Sequence, residues 1–120
     1  MIKTTLGAIN LSLNSLIEFG NYKFSAPINV NMHRLLKKSR EEVNSFIEIN
    51  NKQILSYGYL NKDGLNCVPP DSMGEYKDFV DALMQVEVIF EMDKIDMRTF
   101  AEQNPDFKPS VTSSLGWLID

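Results

Sequence analysis

Among its 120 residues the chain has one cysteine and one histidine, and each scarcity excludes something. With Cys67 alone, no disulfide can close within the chain, which fits a reducing compartment. A zinc site built from several cysteines of one chain is excluded as well. Cys67 is flanked by Asn66, Val68, Pro69 and Pro70, without the basic or helix-terminal surroundings that activate a thiol, so a packed, inert side chain is expected. His33 is the one side chain of the type that titrates near neutrality, yet no nucleophile stands where it could be activated. Ser39, six residues on, falls on another side of the same helix, and His33 reads as a surface or interface residue. The six glycines are scattered and form no phosphate-binding cluster. No apolar run approaches the roughly 20 residues of a membrane span, and Met1–Leu6 carries polar residues where a signal peptide would be apolar. There is no internal repeat and no low-complexity tract. A single domain over residues 1–120 in a cytoplasm is the expectation from length and composition.

What is present in abundance is helical periodicity. Ile28, Met32, Leu35, Leu36, Val43, Phe46, Ile47, Ile54 and Leu55 recur mostly in steps of three and four, with small or polar residues at Ser39 and Asn50. Ser25 stands as an N-cap candidate, Pro27 falls in the first turn, and Gly58 is placed for a left-handed stop. The spacing predicts one helix over Pro27–Tyr57, roughly 45 Å long. A compact 120-residue domain has a diameter of only about 36 Å, so such a helix spans the molecule. Glu48 and Lys52 stand in the favourable i,i+4 order. The asparagines and serine within Asn44–Asn51 interrupt the apolar stripe and argue against a strict coiled coil, while a dimer seam stays open.

The remaining elements are shorter. Ile2–Leu6 suggests a strand, and a helix is expected from near Asn10 to Phe19. Tyr59–Val68 reads as a hairpin turning at Asp63-Gly64, stopped by Pro69-Pro70. Asp71 or Ser72 is expected to cap a helix from Met73 to about Gln85, with Met73, Tyr76, Phe79, Val80, Leu83 and Met84 on its inner face. Val86–Phe90 is rich in β-branched residues and predicts a strand. Another short strand is suggested at Ile95 and Met97, then a helical turn or two over Arg98–Gln103. Prolines 105 and 109 mark a loop, and Ser110 is placed to cap a last short helix. The order predicts an α+β fold, one long helix packed on a small, mainly antiparallel sheet with shorter helices around it.

Charge is unevenly placed. Net charge is −4, but residues 1–40 hold six Lys or Arg against one Glu, and residues 41–120 hold six against fifteen acidic residues. Such polarity orients partners or self-association. Arg34, Lys37, Lys38 and Arg40 form the one compact basic cluster, a candidate contact for a partner or a phosphate group. Tyr22, Phe24 and Tyr57 are aromatic candidates for stacking a base. Duplex nucleic acid is disfavoured by a pI near 5.0. Glu91, Asp93 and Asp96 supply oxygen atoms, but without the glycine and ligand spacing of a Ca²⁺ loop, and Asn61-Lys62-Asp63-Gly64 lacks the acidic residue that would close one. No cofactor, metal or catalytic residue is therefore assigned.

The run Met32-His33-Arg34-Leu35-Leu36-Lys37-Lys38, then Phe46, Ile54-Leu55-Ser56-Tyr57-Gly58 and Asn61-Lys62-Asp63-Gly64, resembles a group of small uncharacterised bacteriophage proteins. The following helix and Val-Glu-Val strand within Leu83–Phe90, and the segment Thr112–Ile119, extend the likeness to about three quarters of the chain. The resemblance implies a phage or prophage origin and transfers no catalytic residue. Together with the split charge it suggests a non-enzymatic accessory protein that binds another protein, inhibition of a host defence or replication factor being one form, with self-association expected. A binder that sequesters a phosphate-bearing nucleotide signal, and a virion assembly component, are the alternatives.

Overall fold

A computed structural model describes residues 1–60 and 66–120. The chain runs β1 (Ile2–Thr5), α1 (Leu6–Phe19), α2 (Ala26–Tyr57), β2 (Tyr59–Leu60), β3 (Asn66–Cys67), α3 (Pro70–Met84), β4 (Glu87–Phe90), α4 (Met97–Gln103) and α5 (Pro109–Thr112). The fold is α+β and is organised by the 32-residue α2. Two separate two-stranded antiparallel sheets accompany it, β1 with β4 and β2 with β3. The expected hairpin thus has both arms, paired Tyr59 to Cys67 and Leu60 to Asn66, while its Asp63-Gly64 turn lies outside the described residues.

Alternation builds the larger sheet. Ile2 and Thr4 face the core opposite Phe90 and Val88, and Lys3 and Thr5 pair with Ile89 and Glu87 on the other face. The core gathers Leu6, Ile9, Leu16 and Phe19 from α1, Met32, Leu35, Val43 and Phe46 from α2, and Ile95, Phe100, Val111, Leu115 and Leu118 from the C-terminal third. Five aromatic rings lock the end of α1 and the connection to α2 onto that third. Phe100 lies 4.8 Å from Phe19, 5.6 Å from Phe24, 5.4 Å from Tyr22 and 5.1 Å from Phe107, ring centre to ring centre, mostly in tilted or edge-on geometries.

Several sequence expectations shift. α1 begins at Leu6, one turn before Asn10, because the Thr5 hydroxyl accepts from Ala8 N–H at 3.1 Å and caps the helix there. α3 begins at Pro70 rather than Met73. Pro69 stays extended and Pro70 enters the first turn, where its missing N–H leaves nothing unpaired; neither Asp71 nor Ser72 is the cap. Gly58 is not left-handed: its φ of −93° and ψ of 172° are extended. Its glycine is required by crowding, since a Cβ there would collide with the Ile54 carbonyl and lie 2.8 Å from that of Cys67. Ile95 forms an isolated parallel bridge with Ile119, whereas Met97 starts α4. The last helix starts at Pro109, with Lys108 rather than Ser110 at the cap position.

α2 outruns its core. The molecule measures 53 × 28 × 20 Å, and its radius of gyration of 17.7 Å exceeds the roughly 14 Å of a compact chain this long. Past Phe46, α2 is covered mainly by α3, in which no residue is fully buried. Tyr76 O–H donates to the Asn50 side-chain oxygen at 2.7 Å across this thin pair. Ile47 and Leu55, counted on the inner face from periodicity, are 47% and 64% exposed, and Met73 is 47% exposed at the far end of α3. The i,i+4 pair Glu48 and Lys52 forms no ion pair.

Candidate functional site

The basic half of α2 borders a concavity. Asn31, Arg34, Leu35 and Lys38 line one wall of a groove of about 510 Å³, and Ile89, Phe90, Glu91 and Met92 line the other, with Met1 at its edge. The walls are built by different elements for different reasons. Helical spacing carries Asn31, Leu35 and Lys38 along one flank of α2, with Leu35 turned fully into the core. The end of β4 supplies Ile89 and Phe90, and the turn after it, closed by Met92 N–H donating to the Phe90 carbonyl at 3.0 Å, brings Met92 back over the floor. Asn31 and Met92 also line a second cavity of about 280 Å³, which continues past Phe24, Ile28 and Ile95 to Asp96, Phe100 and Gln103. Sharing Asn31 and Met92, the two make up a trough lined by Arg34, Lys38 and Glu91 in its first part and by Asp93, Lys94 and Asp96 in its second.

The four residues of the basic cluster do not act as one. Arg34 and Lys38 line the groove; Lys37 and Arg40 do not. Lys38 is already engaged: its ammonium donates to the Ile89 carbonyl at 2.5 Å and lies 5.4 Å from the Phe90 ring centre. Arg34, exposed at the lip, makes no side-chain hydrogen bond or ion pair among the described residues. It is the groove's uncommitted cation, able to meet a carboxylate or phosphate through two parallel N–H donors.

Other sequence candidates are dispersed. Tyr22 and Phe24 are held by Phe100, and Tyr57 lies at the opposite end of α2, so no base-stacking set is assembled from the three. His33 is exposed while Ser39 is fully buried, as their separation along the helix requires. Cys67 is half-buried in β3. Asp96 is spoken for as the cap of α4, accepting from Arg98 N–H at 3.2 Å and the Thr99 hydroxyl at 2.7 Å. Those bonds, the Thr99 hydroxyl first and the Arg98 amide second, hold its carboxyl below the usual carboxylate range. Among the described residues, no three His, Cys, Asp or Glu side chains converge on a metal-sized space, and no helix is long and apolar enough to cross a membrane.

The apolar groove wall was missed from sequence. Phe90 and Met92 lie more than fifty positions from Arg34, and only the β1–β4 pairing brings them alongside α2. Comparisons with known proteins give no match: no family model fits the chain, and no curated protein or solved structure is significantly similar to it.

Proposed function

We propose that the chain is a non-enzymatic accessory protein that binds another protein, and that the trough beside the basic half of α2 receives a segment of that partner. The observation that carries this reading is the composition of the groove. An uncommitted guanidinium at Arg34 shares the groove with the partly exposed apolar side chains of Ile89 and Met92 and with Glu91, while Leu35 and Phe90 are buried. That pairing suits an extended segment carrying a carboxylate beside a large apolar side chain. The Asn31 amide offers both a donor and an acceptor to the segment's backbone. A bacteriophage setting, with a host defence or replication factor as the target, rests on the sequence resemblance alone.

A phosphate-bearing nucleotide is the competing occupant. It is less well served, because Lys37 and Arg40 lie off the groove and the Lys38 ammonium already binds the Ile89 carbonyl. The test has two arms. Affinity capture with the wild-type chain and with Arg34→Glu is expected to retain one defined protein only with the wild type. Thermal shift against a nucleotide panel is expected to show no stabilisation. A ligand at 100 times its dissociation constant adds about 2.7 kcal/mol, so a shift that Arg34→Glu abolishes would replace the protein reading with the nucleotide one. Equal capture by both chains removes the groove from the account.

A further inference from the structure

The line of α2 opposite the core carries Val30, Lys37, Glu41, Asn44, Glu48 and Leu55. Their steps of seven, four, three, four and seven keep them on one stripe of an α-helix. All six are exposed, Val30 at 49% and Leu55 at 64%. The four polar side chains form no hydrogen bond or ion pair among the described residues, although Lys37 and Glu41 stand one turn apart. The stripe is symmetric about a point between Glu42 and Val43. Turned end for end against itself, it sets Val30 on Leu55, Lys37 on Glu48 and Glu41 on Asn44. Apolar meets apolar, cation meets carboxylate, and carboxylate meets an amide donor. Laid parallel in register, the same stripe would set each charged residue on its own copy, which is repulsive.

We propose that this stripe is an isologous seam through which two copies of the chain associate, with their α2 helices antiparallel. Two-fold symmetry makes every pair occur twice. From Val30 to Leu55 the contact runs about 38 Å, long enough to matter but with only two apolar residues per copy. Association is therefore reversible and weakened by salt, because exposed ion pairs are screened. The seam lies on the solvent side of α2, whereas the groove lies on its flank. It stands apart from the groove reading, and either can fail without the other.

The experiment uses the full chain at low salt. Sedimentation equilibrium over a concentration series is expected to show a mass rising from 13.7 kDa toward twice that value. Lys37→Glu or Glu48→Lys alone is expected to weaken association about tenfold or more, by placing like charges across the seam twice. The two changes together restore complementarity and are expected to restore association. Register is read by disulfide trapping in a Cys67→Ser background. Val30→Cys with Leu55→Cys is expected to trap dimers on oxidation, while either change alone is not, since positions 30 and 55 face each other only in the antiparallel arrangement. Helix content by circular dichroism checks that each variant is folded. A monomer at every concentration, failure of the folded charge-swapped chain to regain association, or trapping by Val30→Cys alone overturns the proposal.

Discussion

The Lys38 ammonium donates to the Ile89 carbonyl at 2.5 Å, joining the middle of α2 to the outer edge of β4. This bond and the adjacent Phe90 ring fix one end of the groove. Lys38→Met keeps most of the aliphatic stem and removes the charge. Because the bond is exposed, the expected loss is about 1 kcal/mol, or a fall of about 4 °C in Tm. Lys38→Arg is expected to retain most of it. An unchanged Tm for Lys38→Met in a thermal melt would show that the contact contributes nothing to stability.

Asn104 is the more consequential polar anchor. Its side-chain oxygen accepts from Lys23 N–H at 2.8 Å, and its amide donates to the carbonyls of Lys23 at 2.9 Å and Phe100 at 3.1 Å. It is only 8% exposed, so truncation strands polar backbone away from water. Asn104→Ala is expected to cost about 2–3 kcal/mol in chemical denaturation, with the Lys23 amide losing protection against hydrogen exchange. A loss below half a kcal/mol, about the scale of a surface change, would contradict this.

Ser39 points the other way. It is fully buried on the inner face of α2, and its hydroxyl is the one buried side-chain N or O atom among the described residues with no hydrogen-bond partner. Ser39→Ala removes an unsatisfied group and adds a better helix former. The variant is expected to be more stable by about 1 kcal/mol in a urea titration. Destabilisation of similar size would mean that the hydroxyl has a partner in solution.

Asp96 gives the pH dependence its sign. Its folded carboxyl is held below its ordinary value, chiefly by the Thr99 hydroxyl and then by the Arg98 amide. The charged cap therefore stabilises the fold above the unfolded carboxylate range, and that contribution fades as pH falls through the lowered folded value. Asp96→Ala is expected to lower Tm at neutral pH, with the gap to wild type narrowing in acid. A gap that widens in acid would reverse the assignment.

Long-range order was legible where punctuation and periodicity agreed. Ser25, Pro27 and Gly58 bracket α2 to within one residue, although the Ser25 side chain makes no capping hydrogen bond and Gly58 is extended rather than left-handed. The Val86–Phe90 strand and the hairpin arms were readable from β-branched content and turn residues. Starts were harder. Pro69-Pro70 reads equally as the end of a hairpin arm and as the first turn of a helix, and the difference is settled by which chain segment follows. α1 takes its start from Thr5, beside Gly7, where a Cβ would stand 2.9 Å from the Met84 carbonyl, a closeness no local pattern reveals.

Burial was the least legible property. Ile47 and Leu55 each lie next to apolar residues in the sequence, but helical rotation sets Leu55 on the face of α2 opposite Met32, Leu35, Val43 and Phe46 and Ile47 at the margin of the buried face, so both are exposed. The basic cluster was plain in the sequence; its division was not. Arg34 and Lys38 turn to the groove while Lys37 turns to the outer stripe, a distinction set by 100° of helical rotation per residue and by where β4 lies.

The claim that the trough beside α2 receives a partner protein is tested most directly by site-specific photo-cross-linking from Asn31, which lines both of its cavities. In cells where the chain acts, a photoreactive residue at position 31 is expected to form one covalent adduct with a single protein. The adduct should disappear when Arg34→Glu is added, and an identical probe at the exposed Asn14 on α1 should not form it. An adduct from position 14 but not from 31, or one from 31 that is indifferent to Arg34→Glu, would contradict the account.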